Sequence, residues 1–315
     1  MRLPGTIRVR LTAALCCVSV VLLGGCTSQS STAATTPPTE PPSVASPDAS
    51  HPPKHQGLTA DAPLVVIFME NHEQGDVVGS PSAPFENALA RRGRTYTNYF
   101  AITHPSLPNY LAFASGSTHG KTDDDIAVGE IDGPTLWTQL TAAGIRWAVY
   151  EETMPSPCFT QGSSGSSPGD YALKHNPAMP FRAVASDAAE CGRVQPLTQM
   201  DPKQLPPMSF ITPNECNDAH SCDLSSGDAW LAGHVPALLG AGADVIVTYD
   251  EGTTDVGADG GSGGGQVFAV EAGPGVPNGA TVPKPLNHYS LLAGIEQRFR
   301  LAKLGEASGA TPLPI

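Results

Sequence analysis

The chain has 315 residues, 40% hydrophobic and 15% charged, with 33 glycines and 31 prolines. That is enough apolar material for a substantial core and excludes a mainly disordered or fibrous protein. The formal charge of −13 makes nucleic acid and bare anionic lipid surfaces poor partners.

Arg2, Arg8 and Arg10 precede an apolar run over 11–23. The run is too short and wrongly flanked for a spanning helix and fits a signal segment. It ends Leu23-Gly24-Gly25-Cys26, which resembles the lipobox of bacterial lipoproteins. The resemblance implies loss of residues 1–25 and acylation of the Cys26 thiol. The mature chain is then expected on the extracytoplasmic face of the cell membrane, held by a lipid anchor and no transmembrane helix. Ser, Thr and Pro dominate the rest of 26–62, so the segment cannot bury a core and reads as a disordered tether roughly 35 Å from end to end. Residues 63–315 form the expected globular domain.

The body opens with a continuous apolar run over 63–69, suited to a strand buried on both faces of a parallel sheet. A helix starts near Pro84 and stops at Gly93, and another spans 134–143 and stops at Gly144. Strands are expected at 145–150, 208–212 and 243–249, and helices at 228–239 and 289–301. Strands alternating with helices predict a single α/β domain, a mostly parallel sheet with helices on both faces. Four cysteines fall within this body: Cys158, Cys191, Cys216 and Cys222. An even set in an oxidising compartment favours two disulfides. Proximity pairs Cys158 with Cys191 and Cys216 with Cys222, although three connectivities are open.

In such sheets ligands bind beyond the carboxyl ends of the strands. There the sequence places Glu70-Asn71 after the first strand, Asp250-Glu251 after 243–249, and Asp218 and His220 beyond 208–212. Oxygen ligands at separate strand ends gather a divalent cation, and an all-oxygen set favours Mg²⁺, Ca²⁺ or Mn²⁺. Ser106 opens an apolar helix-like stretch to Ser115, so its hydroxyl lies at a helix N-terminus, where phosphate binds readily. Serine is also a common helix cap. Beside a metal, the same hydroxyl becomes an activated nucleophile. The glycine-rich run 257–265 reads as a flexible surface loop, with a lid over Asp250 as the alternative.

Six ordered motifs resemble the phosphoesterase family: Glu70-Asn71, His104-Pro105-Ser106 with Pro108-Asn109-Tyr110, Tyr171 with Lys174-His175-Asn176-Pro177, Pro213-Asn214 with Asn217-Asp218 and His220, Thr248-Tyr249-Asp250-Glu251, and His288-Tyr289-Ser290. They span about residues 64–300. That family contains bacterial acid phosphatases and phospholipases C of phosphocholine type and shares the alkaline phosphatase-like fold. The resemblance implies that Glu70, Asn71, Asp250 and Glu251 hold a metal and that Ser106 is the nucleophile. His104, Asp218, His220 and His288 would surround the phosphate, with Asn109, Lys174 and His175 on the substrate. Asp250-Glu251-Gly252 departs from the Asp-His-Gly of many two-zinc superfamily members, so the ion, Mg, Ca, Mn or Zn, is left open. The expected activity is metal-dependent hydrolysis of a small-molecule or lipid phosphate monoester. A phosphodiesterase of phospholipase C type and a non-catalytic binding lipoprotein are the alternatives.

Overall fold

A computed structural model of the chain describes residues 62–315. The expected signal segment, the lipid site at Cys26 and the tether up to residue 61 lie outside the described residues. The first half of the body runs β1 (Leu64–Met69), α1 (Gln74–Val77), α2 (Pro84–Arg92), β2 (Arg94–Tyr96), β3 (Tyr99–Phe100), α3 (Ser106–Ser115), α4 (Leu136–Ala142) and β4 (Trp147–Glu151). The second half continues with α5 (Arg182–Ala185), α6 (Ala188–Cys191), β5 (Val194–Pro196), β6 (Met208–Thr212), α7 (Leu224–Gly240), β7 (Asp244–Tyr249), β8 (Ala269–Ala272), β9 (Ala280–Val282), β10 (Leu286–Asn287) and α8 (His288–Phe299).

Eight strands form one sheet in the order β5-β4-β6-β1-β7-β8-β2-β9. From β5 to β7 the strands are parallel, whereas β8 runs antiparallel to both its neighbours. β10 and β3 pair separately. β1 lies at the centre, and its residues LVVIFM are all fully buried. This is why the run is continuously apolar rather than alternating: neither face meets water. Helices α2 and α7 pack on one another, and α3, α4 and α8 form a second group, giving the helical layers expected of an α/β domain.

Local signals account for most helix ends. Pro84 occupies the first turn of α2, and Gly116 closes α3 in the left-handed region at φ 72°, which glycine adopts without steric cost. Helix α7 begins at Leu224, four residues before its expected start. Ser225, Ser226 and Gly227 are weak helix formers, and a Cβ on Gly227 would meet Met69 and Ala219, so packing onto the sheet decides that first turn. Cys158 bonds Cys191, and Cys216 bonds Cys222. Among the described residues, no helix is long and apolar enough to cross a membrane.

Candidate active site

Strand register builds the first half of the site. Met69 pairs with Tyr249 across parallel β1 and β7, so the next residues, Glu70 and Asp250, emerge side by side from the same edge. The Asp250 amide donates to the Met69 carbonyl at 2.8 Å, and the Glu70 amide to the Asp218 carbonyl at 2.9 Å. Three carboxylates from three loops therefore meet in a fully buried volume. Burial and the charges of Asp250 and Asp218 push Glu70 well above the usual carboxylate range. Burial and the neighbouring Glu251 charge push Asp250 up to about 8. Burial also raises Asp218.

The second half is the start of α3. Ser106 is buried, and its hydroxyl donates to Glu70 Oε2 at 3.0 Å, with Glu251 Oε1 at 3.4 Å as a second acceptor. Asn109 does not face the cleft. Its carbonyl oxygen accepts from the amides of Ile102 and Thr103, and its NH₂ donates to the carbonyls of Thr103 and Pro105. The side chain thus staples the loop carrying His104 onto the helix. His104 Nδ1 lies 2.7 Å from Glu251 Oε2 and its Nε2 lies 3.0 Å from the Thr254 carbonyl. Both partners are acceptors, so the ring is held as an imidazolium. Burial opposes that charge, but the Thr254 carbonyl and Glu251 together raise His104 above the ordinary histidine value.

On the far side of Glu70, a short 3₁₀ turn over Leu173–His175 brings His175 Nε2 to 3.3 Å from Glu70 Oε1 and its Nδ1 to 3.5 Å from Asp218 Oδ2. Burial, then the Lys174 and His220 charges, hold His175 far below its ordinary value, so it is neutral. Ligand atoms of Glu70, His175 and His220 all lie within 4.8 Å of one another. Both His175 ring nitrogens, Asp218 Oδ2 and Asp250 Oδ2 are buried without a hydrogen-bond partner among the described residues. Buried polar atoms ordinarily have partners, and these converge with excess negative charge, so the donor set fits a divalent cation. The set includes two imidazoles, whereas the sequence led us to expect oxygen alone.

Other expected residues sit differently. Asn71 contributes its backbone N–H, at 3.3 Å, to Asp250 Oδ1. His288 is fully buried behind Asp250, where its Nε2 faces the Asp250 carbonyl at 2.6 Å and its Nδ1 faces the Tyr99 hydroxyl at 3.0 Å. Burial pulls it down to about 4, so it braces the strand end as a neutral ring. Lys174 Nζ stands at the cleft, 3.1 Å from His220 Nε2 and 3.7 Å from Glu215.

Several contributors were given no role by the sequence. Tyr110, one helical turn after Ser106, donates to Glu70 Oε1 and stacks on His175 with ring centroids 5.4 Å apart. Glu152 accepts from the Asn214 amide, the Asn217 side chain and Trp230, which orders the segment bearing Asp218 and His220. Glu73 accepts from both Thr253 and Thr254 amides at 2.8 Å. The glycine-rich run is consequently tied down rather than loose: Gly252 donates to the Gly264 carbonyl and Gly265 to that of Val256.

The profile described as the Phosphoesterase family matches residues 80–302. The phosphatidylinositol-3-phosphatase of Mycobacterium tuberculosis is 36% identical over 260 residues, covering 81% of this chain and 83% of that protein. A phosphate-repressible acid phosphatase of Penicillium chrysogenum is 33% identical over 266 residues, covering 79% of this chain and 61% of the relative. The chain thus spans about six tenths of that fungal protein's length. Among solved structures, a Vibrio parahaemolyticus protein of the alkaline phosphatase superfamily superposes with a TM-score of 0.54 at 11% identity, over 81% of this chain and 71% of that one. A Bacteroides thetaiotaomicron protein of glycosaminoglycan metabolism gives a TM-score of 0.52 at 12% identity, over 80% of each chain. At such identities these structures speak for the fold alone.

Proposed function

Since this chain belongs to the phosphoesterase family and is a phosphoric ester hydrolase, we propose that it hydrolyses phosphate monoesters through Ser106 at a site that holds a divalent cation. The observation that carries this reading is the position of the Ser106 hydroxyl. It lies between Glu70 and Glu251, close to buried donor atoms of His175, Asp218 and Asp250 that lack hydrogen-bond partners among the described residues.

Glu70, His175 and His220 would hold the cation, with Asp218 and Asp250 at its border and Glu251 facing the serine. A nitrogen and oxygen donor set of this kind suits borderline ions as well as hard ones. Bound there, a divalent cation supplies positive charge for the phosphoryl oxygens and favours the ionised serine. Ser106 Oγ forms its bond to phosphorus as the ester P–O bond breaks, and its proton passes to one of the two facing carboxylates. His104, held as a cation by Glu251 and Thr254, would give the leaving alkoxide its Nε2 proton by exchanging the Thr254 carbonyl for the ester oxygen. Water then cleaves the phosphoserine and releases inorganic phosphate. Positioning and charge carry most of the rate.

The mycobacterial relative is named for phosphatidylinositol 3-phosphate, and a phosphoinositide is the lipid substrate we assign to this chain. A lipid substrate accords with acylation at Cys26 and a tether on the outer face of the membrane. Cys26→Ser should then move the protein from the membrane fraction to the medium. The deciding assay is hydrolysis of p-nitrophenyl phosphate against bis-p-nitrophenyl phosphate, with and without chelator. Chelator-sensitive turnover of the monoester is expected. Preference for the diester would transfer the reading to the phospholipase C type, and turnover indifferent to chelator would remove the cation from it.

A further inference from the structure

Helix α3 has few donors to offer at its N-terminus. Pro105 at the cap and Pro108 in the first turn carry no N–H, so that end presents the Ser106 and Leu107 amides. The Leu107 amide is taken by a side chain: it donates to Asp124 Oδ1 at 3.0 Å. The other oxygen of Asp124 lies 3.4 Å from Lys174 Nζ. A helix-end N–H beside the nucleophile and an ammonium facing it are donors suited to a phosphoryl oxygen. Here one carboxylate of the chain itself spans both. The same cleft holds His175, fully buried with both ring nitrogens unpartnered among the described residues.

Asp124 belongs to a segment without regular secondary structure between α3 and α4, and its side chain is 32% exposed. It also borders a cavity of about 360 Å³ lined with Lys174, Glu215 and the Ser163, Ser166 and Ser167 loop, which gives the carboxylate somewhere to go. Ser106 and Glu70, by contrast, are enclosed.

On the reading that phosphoryl groups bind at the Ser106 end of α3, we propose that Asp124 is an internal competitor for them. Its carboxylate stands in for a phosphoryl oxygen between the Leu107 N–H and the Lys174 ammonium. Substrate displaces it toward the adjoining cavity, and its return helps expel inorganic phosphate after the ester is cleaved. Asp124 therefore weakens ground-state binding of every phosphate and keeps product from accumulating on the enzyme.

The test is direct binding of inorganic phosphate to the full chain by calorimetry, beside p-nitrophenyl phosphate turnover, for the wild type, Asp124→Asn and Asp124→Glu. Asn keeps an acceptor for the Leu107 amide and drops the charge. Asp124→Asn should bind phosphate about fivefold or more tightly, as expected for removing a like charge at contact range, with a lower KM and stronger product inhibition. Asp124→Glu should stay near the wild type. Phosphate affinity unchanged or weaker in Asp124→Asn, at a wild-type unfolding temperature, would overturn the proposal and leave Asp124 as a brace for α3. If the Asn variant does not fold, Asp124→Ser answers the same question. Tighter phosphate binding in the charge-free variants without hydrolysis by any form would retain this proposal and defeat the serine mechanism; hydrolysis without the tighter binding would do the reverse.

Discussion

The Ser106 hydroxyl is buried and has two carboxylate acceptors at 3.0 and 3.4 Å. A serine placed only to cap its helix would bond the backbone of its own first turn. Ser106→Ala should therefore lower kcat by about a thousandfold or more while cation binding, followed by calorimetry, survives; substantial residual kcat would end the nucleophile assignment. Tyr110 acts one step further out, through its bond to Glu70. Tyr110→Phe keeps the ring stacked on His175 and removes that bond. Cation affinity should fall by about tenfold, as is usual when a partner of a ligand is lost, with unfolding temperature and Ser106 burial little changed.

At the scale of elements, the two disulfides do different things. Cys158–Cys191 closes a segment of 33 residues and Cys216–Cys222 one of 6. Chain-entropy arguments assign about 4 kcal/mol to the longer loop and about 2 kcal/mol to the shorter. The shorter loop, however, carries Asp218 and His220. Replacing Cys216 and Cys222 by serine should cost less stability in urea but more cation affinity than replacing Cys158 and Cys191, and the opposite ranking would contradict this division. A second element-level device is Glu86 on α2. It is fully buried, accepts from the Tyr249 hydroxyl at 3.0 Å, and is pushed up to about 8 by burial. A carboxyl raised in the folded state holds its proton more tightly than in the unfolded chain. Its stabilisation is thus present below the ordinary carboxylate range and lost as pH rises toward about 8. Glu86→Gln should flatten the fall in unfolding temperature over that window, and an unchanged pH profile would show that Glu86 is ionised in the fold.

For the whole molecule, the formal charge of −13 opposes an anionic substrate at long range, while the proposed cation and Lys174 would attract it only at short range. Salt screens the first effect beyond roughly 10 Å and touches the buried second one less. The kcat/KM for a small phosphate ester should accordingly rise between about 0.02 and about 0.2 M ionic strength, and a fall would mean that the approach to the cleft is electropositive. The buried carboxylates at the centre, Glu70, Asp218 and Asp250, repel one another's charge. Adding a divalent cation should raise the unfolding temperature, and chelator should reverse it.

Much of this was written locally. The continuous apolar runs of β1 and β7, the proline and glycine stops of α2, and the Glu70-Asn71 and Asp250-Glu251 pairs that follow those strands are one-dimensional signals, because a strand buried on both faces and a turn after it constrain consecutive residues. The chain itself thereby determined an α/β body, its central strands, and Glu70, Ser106 and Asp250 at one edge of the sheet. Tertiary structure decided what those residues face. The short edge strand β9 and the reversed β8, which lies between β7 and β2, depend on neighbours supplied from distant segments. His288 resembles the other site histidines in sequence, yet packing turns it behind Asp250. His175 and Tyr110 become partners of Glu70 only when α3 and the Leu173–His175 turn close over β1, and Asp124, within a run of acidic residues, meets the Leu107 amide only through the path of a loop. Sequence pattern encodes burial and local conformation, whereas the pairing of polar groups across 40 or 145 positions is set by the fold that brings their backbones together.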